Sequence, residues 1–156
     1  MLPDSLDLLD IDGRASVVRL MMIIAAADGE LMREEIACIE AQMGRAMLSP
    51  EMRQDLRQLI TDPPLLSEEL EGQEQNVLRI GLRDGMLLAS SDGVYHPAEV
   101  EILATIAEAA GVGAAELDQL YEWVDQGWRW MARGRAHISS AMQGDAELIR
   151  SAEGDR

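Results

Sequence analysis

Residues 26–39 read AADGELMREEIACI and residues 90–103 read SSDGVYHPAEVEIL, and laying the second stretch over the first reveals a duplication that decides the fold. At a constant offset of 64 residues Asp28 meets Asp92, Gly29 meets Gly93, Glu35 meets Glu99, and the apolar pairs Ile36/Val100 and Ile39/Leu103 follow. Downstream, Ser49, Pro50, Glu51 and Met52 lie over Ala114, Ala115, Glu116 and Leu117 with a one-residue slip. Each half therefore reads as helix, Asp-Gly turn, helix, short turn, helix. Two such units packed face to face each bury a surface that neither could bury alone.

Working outward, apolar residues recur every three or four positions and β-branched runs of period two are missing, which predicts an all-α chain. A weak turn is expected at 5–10, ending at Asp12 and Gly13, before a helix over 16–27 that is apolar nearly all round and should be the most buried element. Helices follow over 33–47, over 49–60 with Ser49 as N-cap and Pro50 in the first turn, and over a short 65–71. The second half predicts helices over 73–89, 96–110 and 114–130, with one more over 137–149 and a frayed end. The expected organisation is an N-terminal turn (1–13), one helical domain of about seven helices (14–130, repeats about 15–60 and 77–124) and a C-terminal extension (131–156).

Composition narrows the function. The 156 residues carry 29 acids and 13 bases, a formal net charge of -16. Every base is arginine, so neither Schiff-base chemistry nor a P-loop lysine is available. So acidic a chain is a poor ligand for DNA, RNA or anionic lipid, which bind by releasing counterions to Lys and Arg. Basic or apolar protein surfaces and cations are the expected partners. No stretch reaches the ~20 apolar residues of a membrane span, the first residues lack a signal peptide's basic region, and a lone Cys38 makes no internal disulfide. A cytoplasmic protein is expected.

The shared Asp-Gly-x5-Glu element admits two readings. In an EF-hand loop, Asp-Gly would hold the fifth and sixth positions and the Glu the twelfth, but the first and third positions are Ile24 and Ala26, or Leu88 and Ser90, which offer no carboxylate. In the capping reading, His96 is an N-cap, Pro97 the first helical residue, and Glu99 the third, reaching back to the cap amide; Met32 and Glu35 repeat the geometry. The acids either cap only, or cap and also bind a divalent cation (Ca, Mg, Mn or Zn). The metal candidates are Asp28, Glu35, Asp92 and Glu99, with Glu30 and Glu34 enriching the first copy.

This doubled helical repeat, as it stands in AAADGELMREEIACI and ASSDGVYHPAEVEIL, resembles the tellurite-resistance TerB-like domain, which also occurs at the N-terminus of membrane-anchored DnaJ-like cochaperones. The resemblance covers about residues 15–125. It implies an all-helical, non-enzymatic domain of about seven helices serving bacterial stress responses, with acidic residues that bind metal and with membrane-associated partners. Position by position it falls on Asp28, Glu35, Asp92 and Glu99. The chain departs from it where neutral Val94 stands opposite Glu30, and in the Trp-rich segment beyond the repeat.

That segment, residues 127–137, holds Trp128, Arg129, Trp130, Arg133 and Arg135 and no acid. These five are interface candidates, for an anionic partner or a homodimer, set against a role in helix capping and core cover. Nucleophile-base pairs are scarce, with only His96 and His137 present and Cys38 flanked by apolar residues. No Gly-x-Ser-x-Gly, Cys-x-x-Cys or His-Glu-x-x-His pattern occurs. The expected function is a TerB-like stress-response interaction module without catalytic residues, cytoplasmic and peripheral to the inner membrane through a partner. The alternatives are a degenerate EF-hand calcium sensor and a metal-dependent hydrolase.

Overall fold

A computed structural model describes residues 4–91, 93–138, 142 and 144–153. The chain is all-α. A 3-10 turn (Ser5–Leu8) precedes α1 (Ile11–Ala25), α2 (Arg33–Arg45), α3 (Pro50–Leu59), α4 (Leu66–Leu70), α5 (Gln75–Ala89), α6 (Pro97–Ala109), α7 (Ala114–His137) and α8 (Asp145–Glu153). Contacts divide it into two compact units, Met1–Gly113 and Ala114–Arg156.

The duplication is regular at the level of the backbone. Both ends of α1 and α2 recur 64 residues later, Ile11 to Gln75, Ala25 to Ala89, Arg33 to Pro97 and Arg45 to Ala109. The third helices keep the same offset, Pro50 to Ala114, so the one-residue slip read from side chains is not a backbone slip. Gly29 and Gly93 both take positive φ, 82° and 90°, which a side chain would resist.

In the first unit α1 packs chiefly on α5. From Ala15 to Ala25 only Arg19 escapes burial, as an all-round apolar helix requires. Close approach comes from two glycines one turn apart in α5: a Cβ at Gly81 would stand 2.5 Å from Leu20 Cδ1, and one at Gly85 would collide with Ile24 Cδ1. Leu20 and Ile24 thus fill holes left by Gly81 and Gly85. At the other end Gly13 lies against Val77, where a Cβ would come within 3.1 Å of Val77 Cγ2. These three contacts advance in the same direction along both helices, so α1 and α5 run parallel. Both Asp-Gly turns therefore emerge at the same end of the pair.

Gly13 was expected to stop a turn; instead α1 begins before it, because Asp10 caps the helix by accepting the Gly13 amide at 2.8 Å. Short α4 is tied to α1 by a part-buried ion pair, Arg19 Nε to Glu69 Oε2 at 2.7 Å, with Ser16 donating to the same carboxylate. In the second unit α7 runs beyond the expected 130 to His137, and α8 is held to it by Arg135 and Asp145. No helix among the described residues is long and apolar enough to cross a membrane.

Candidate functional site

The two turns that the parallel helices bring to one end close around a single pocket of about 500 Å³. Its described lining takes Asp28, Met32, Glu34 and Glu35 from the first repeat and Ala89, Ser91, Val94, Tyr95, His96, Pro97 and Glu99 from the second. Glu35 and Glu99 occupy equivalent, nearly buried positions, 8% and 6% exposed. The Met32 amide donates to Glu35 Oε2 at 2.8 Å and the His96 amide to Glu99 Oε2 at the same distance. These are the reach-back bonds of a capping box, in which an acid on the third helical residue satisfies an amide the helix leaves open. His96 adds its side chain to the cap by accepting the Ala98 amide on Nδ1 at 3.3 Å. Asp28 accepts the Glu30 amide at 2.8 Å and so closes the turn just ahead of α2.

Of the metal candidates, the structure therefore gathers Asp28, Glu34, Glu35 and Glu99 on one pocket and leaves exposed Glu30 out of its lining. Asp92 lies outside the described residues. A resident cation needs several converging donors. Among the described residues, no group of three or more His, Cys, Asp or Glu side chains is placed to hold one. The EF-hand alternative fails on the backbone: Ile24 and Leu88, at the first loop position, are helical and fully buried.

The pocket's apolar residues escaped sequence reading. Val94 is 70% exposed and Met32 50% exposed, and Ile36 and Val100, which are not part of the described lining, are exposed as well. Their shared position just after the acid of each capping box places them on the outer side of α2 and α6, a distinction periodicity alone does not make. The mismatch of Val94 with Glu30 was the available signal, since it puts an apolar side chain in an otherwise polar turn.

The Trp-Arg segment is less cationic than its sequence. Arg129 pairs with Asp125 at 2.7 Å, one helical turn back, and Arg135 with Asp145 at 2.9 Å. Arg133 and Trp130 are exposed, while Trp128 is half-buried. The Arg135 guanidinium and the Met142 amide together hold the Asp145 carboxyl down at about 2. Cys38 is half-buried, and burial, reinforced by nearby Asp84, pushes its thiol up, away from the reactive thiolate.

No family model matches the chain, and no solved structure matches it at a significant level. Among curated proteins, the co-chaperone protein DjlA of Aliivibrio fischeri (strain ATCC 700601 / ES114) is 26% identical over 121 residues, an alignment taking in 71% of this chain and 43% of that protein. The chain thus spans less than half the length of the relative it matches. This similarity gives loose support to the TerB-like resemblance and to a co-chaperone-like helical module.

Proposed function

We propose that this chain is a non-enzymatic, TerB-like interaction module of the stress response, related to tellurite-resistance proteins. Its paired Asp-Gly turns receive a protein partner in the manner of a co-chaperone. The observation that carries the reading is the convergence of both repeats' turns on one concave, part-apolar, part-acidic pocket. A duplicated turn used only to start helices has no need to meet its copy, whereas a recognition surface gains area and shape from the meeting. Similarity to a co-chaperone supports a protein as the partner. Where that partner is membrane-associated, it brings the module from the cytoplasm to the inner membrane.

The reading needs neither a cation nor a reacting group. In its described lining, Glu35, Glu99 and His96 are engaged in capping. Its test is in-cell photocrosslinking, with a benzoylphenylalanine in place of Val94 or of Met32, and in place of exposed Asp55 on α3 as the control. The expected result is one and the same adduct from positions 32 and 94, absent from position 55. No adduct at the pocket, or the same adduct from all three positions, would contradict it. A divalent cation at these carboxylates is the rival use of the pocket. Calorimetric titration with Ca²⁺, Mg²⁺, Mn²⁺ and Zn²⁺ separates the two, because a saturable isotherm abolished by Asp28→Asn with Asp92→Asn would favour the cation.

A further inference from the structure

Elsewhere in the described structure, buried and half-buried carboxylates are met by arginine: Glu69 by Arg19, Asp84 by Arg83, Asp145 by Arg135, and Asp4 by Arg83 and Arg45. The pocket gathers four carboxylates in its described lining, on Asp28, Glu34, Glu35 and Glu99, and no arginine is part of that lining. Two of these carboxylates serve the capping boxes, while Asp28 and Glu34 stand exposed at the rim. The remaining wall is largely apolar, built of Met32, Ala89, Val94, Tyr95 and Pro97.

A wall of this kind is ill suited to a small hydrated ion, which would leave the apolar surface wet. It suits a side chain with an aliphatic stem and a cationic head, since the stem covers Met32 and Tyr95 while the head reaches the rim. The volume, about 500 Å³, holds such a side chain with its neighbours. Resting on the reading of the pocket as a partner surface, we propose that it receives a basic amphipathic segment of the partner protein. An arginine or lysine of that segment is directed to Asp28 and Glu34, and an adjacent apolar residue lies on Val94. The repeats divide the work: the first supplies the rim charge, and the second supplies most of the apolar wall.

The test is fluorescence anisotropy of the full chain with a fluorescein-labelled peptide repeating Leu-Arg-Ala. Saturable binding is expected, weakened about tenfold by Asp28→Asn with Glu34→Gln and about as much by Val94→Ser. Asp28→Asn keeps an oxygen for the Glu30 amide, and circular dichroism verifies that the variants stay folded. Asp55→Asn with Asp62→Asn removes the same charge from exposed sites outside the pocket and is expected to change affinity less than about twofold. Equal weakening by both charge-removing pairs would overturn the proposal, because the attraction would then belong to the acidic surface as a whole. So would undiminished binding of a peptide with Gln in place of Arg, or spermidine binding with the same dependence on Asp28 and Glu34 and none on Val94. If the peptide fails while cross-links at position 94 persist, the partner's chemistry is wrong and the surface stands. Loss of both removes the surface as well.

Discussion

The two repeats of the first unit share a backbone and differ in what they attach to it. Residues 11–48 and 75–112 place helices, positive-φ glycines, capping carboxylates and C-terminal alanines at matching positions. Yet in α1 the positions equivalent to Gly81 and Gly85 are Val17 and Met21, both buried. At Leu20/Gly81 and Ile24/Gly85 the first copy supplies the knob and the second the hole that accepts it. At the end of the second helix, Met47 takes a left-handed φ of 51° where its counterpart Gly111 takes 64°. Beside the pocket, Glu30 stands opposite Val94. Features that start and stop helices are thus common to both copies, and packing surface and pocket chemistry are divided between them.

Breaking the knob-and-hole division should have the largest effect. Gly85→Val drives a branched side chain into Ile24 and is expected to cost about 3 kcal/mol, read from the urea midpoint. A loss below about 0.5 kcal/mol would mean that α1 and α5 are not packed as described. Next come the features the copies share. Glu35→Ala and Glu99→Ala should each cost about 1–2 kcal/mol, nearly equally, while Gln at either position retains most of the stability because its carbonyl still accepts the amide. A large inequality would show that one carboxylate does more than cap.

Smaller still is the contrast at the C-caps. Met47→Gly relieves a left-handed residue and should raise stability by about 1 kcal/mol, whereas Gly111→Met should lower it, its Cβ also pressing on Gln75 Nε2 at 2.9 Å. Thermal denaturation of the two variants checks the opposite signs. The smallest effect lies outside the repeats, where Asp145 accepts the Met142 amide in the same three-residue reach and also holds Arg135. Its carboxyl falls from the ordinary 3.8 to about 2 on folding, so this link stabilises the second unit fully above the unfolded value and is lost as pH drops from 3.8 towards 2. The protection of α8 amides, measured as the exchange rate relative to that of the unfolded chain at the same pH, should fall over that window and stay level between pH 5 and 8.

What the sequence makes legible follows the range of the forces involved. The Asp-Gly turns, the Ser49-Pro50 start and the Glu35 and Glu99 caps are set within a few residues, and each is readable from spacing. Gly13 misled because a glycine ahead of an apolar run signals a break unless its partner, Val77, is known. The Gly81/Gly85 holes, the Arg19–Glu69 pair across fifty residues and the pairing of Arg135 with Asp145 depend on which helices meet. Charge in residues 127–137 was counted along the chain, but Asp125 lies one turn before the segment and Asp145 beyond it. The acidic half of the pocket was named from the motif. Its apolar half, with Met32, Val94 and Tyr95, is not legible there, because which apolar side chains stay open to solvent depends on how the two turns meet.

Nitrogen-15 NMR of the full chain, titrated with the Leu-Arg-Ala peptide, tests the claim that the two turns act as one surface most directly. Gly29 and Gly93, one in each turn, are the reporters. The account predicts that both amide signals move together and saturate at the same peptide concentration. Movement of one glycine alone, or of α3 signals in place of both, would contradict it.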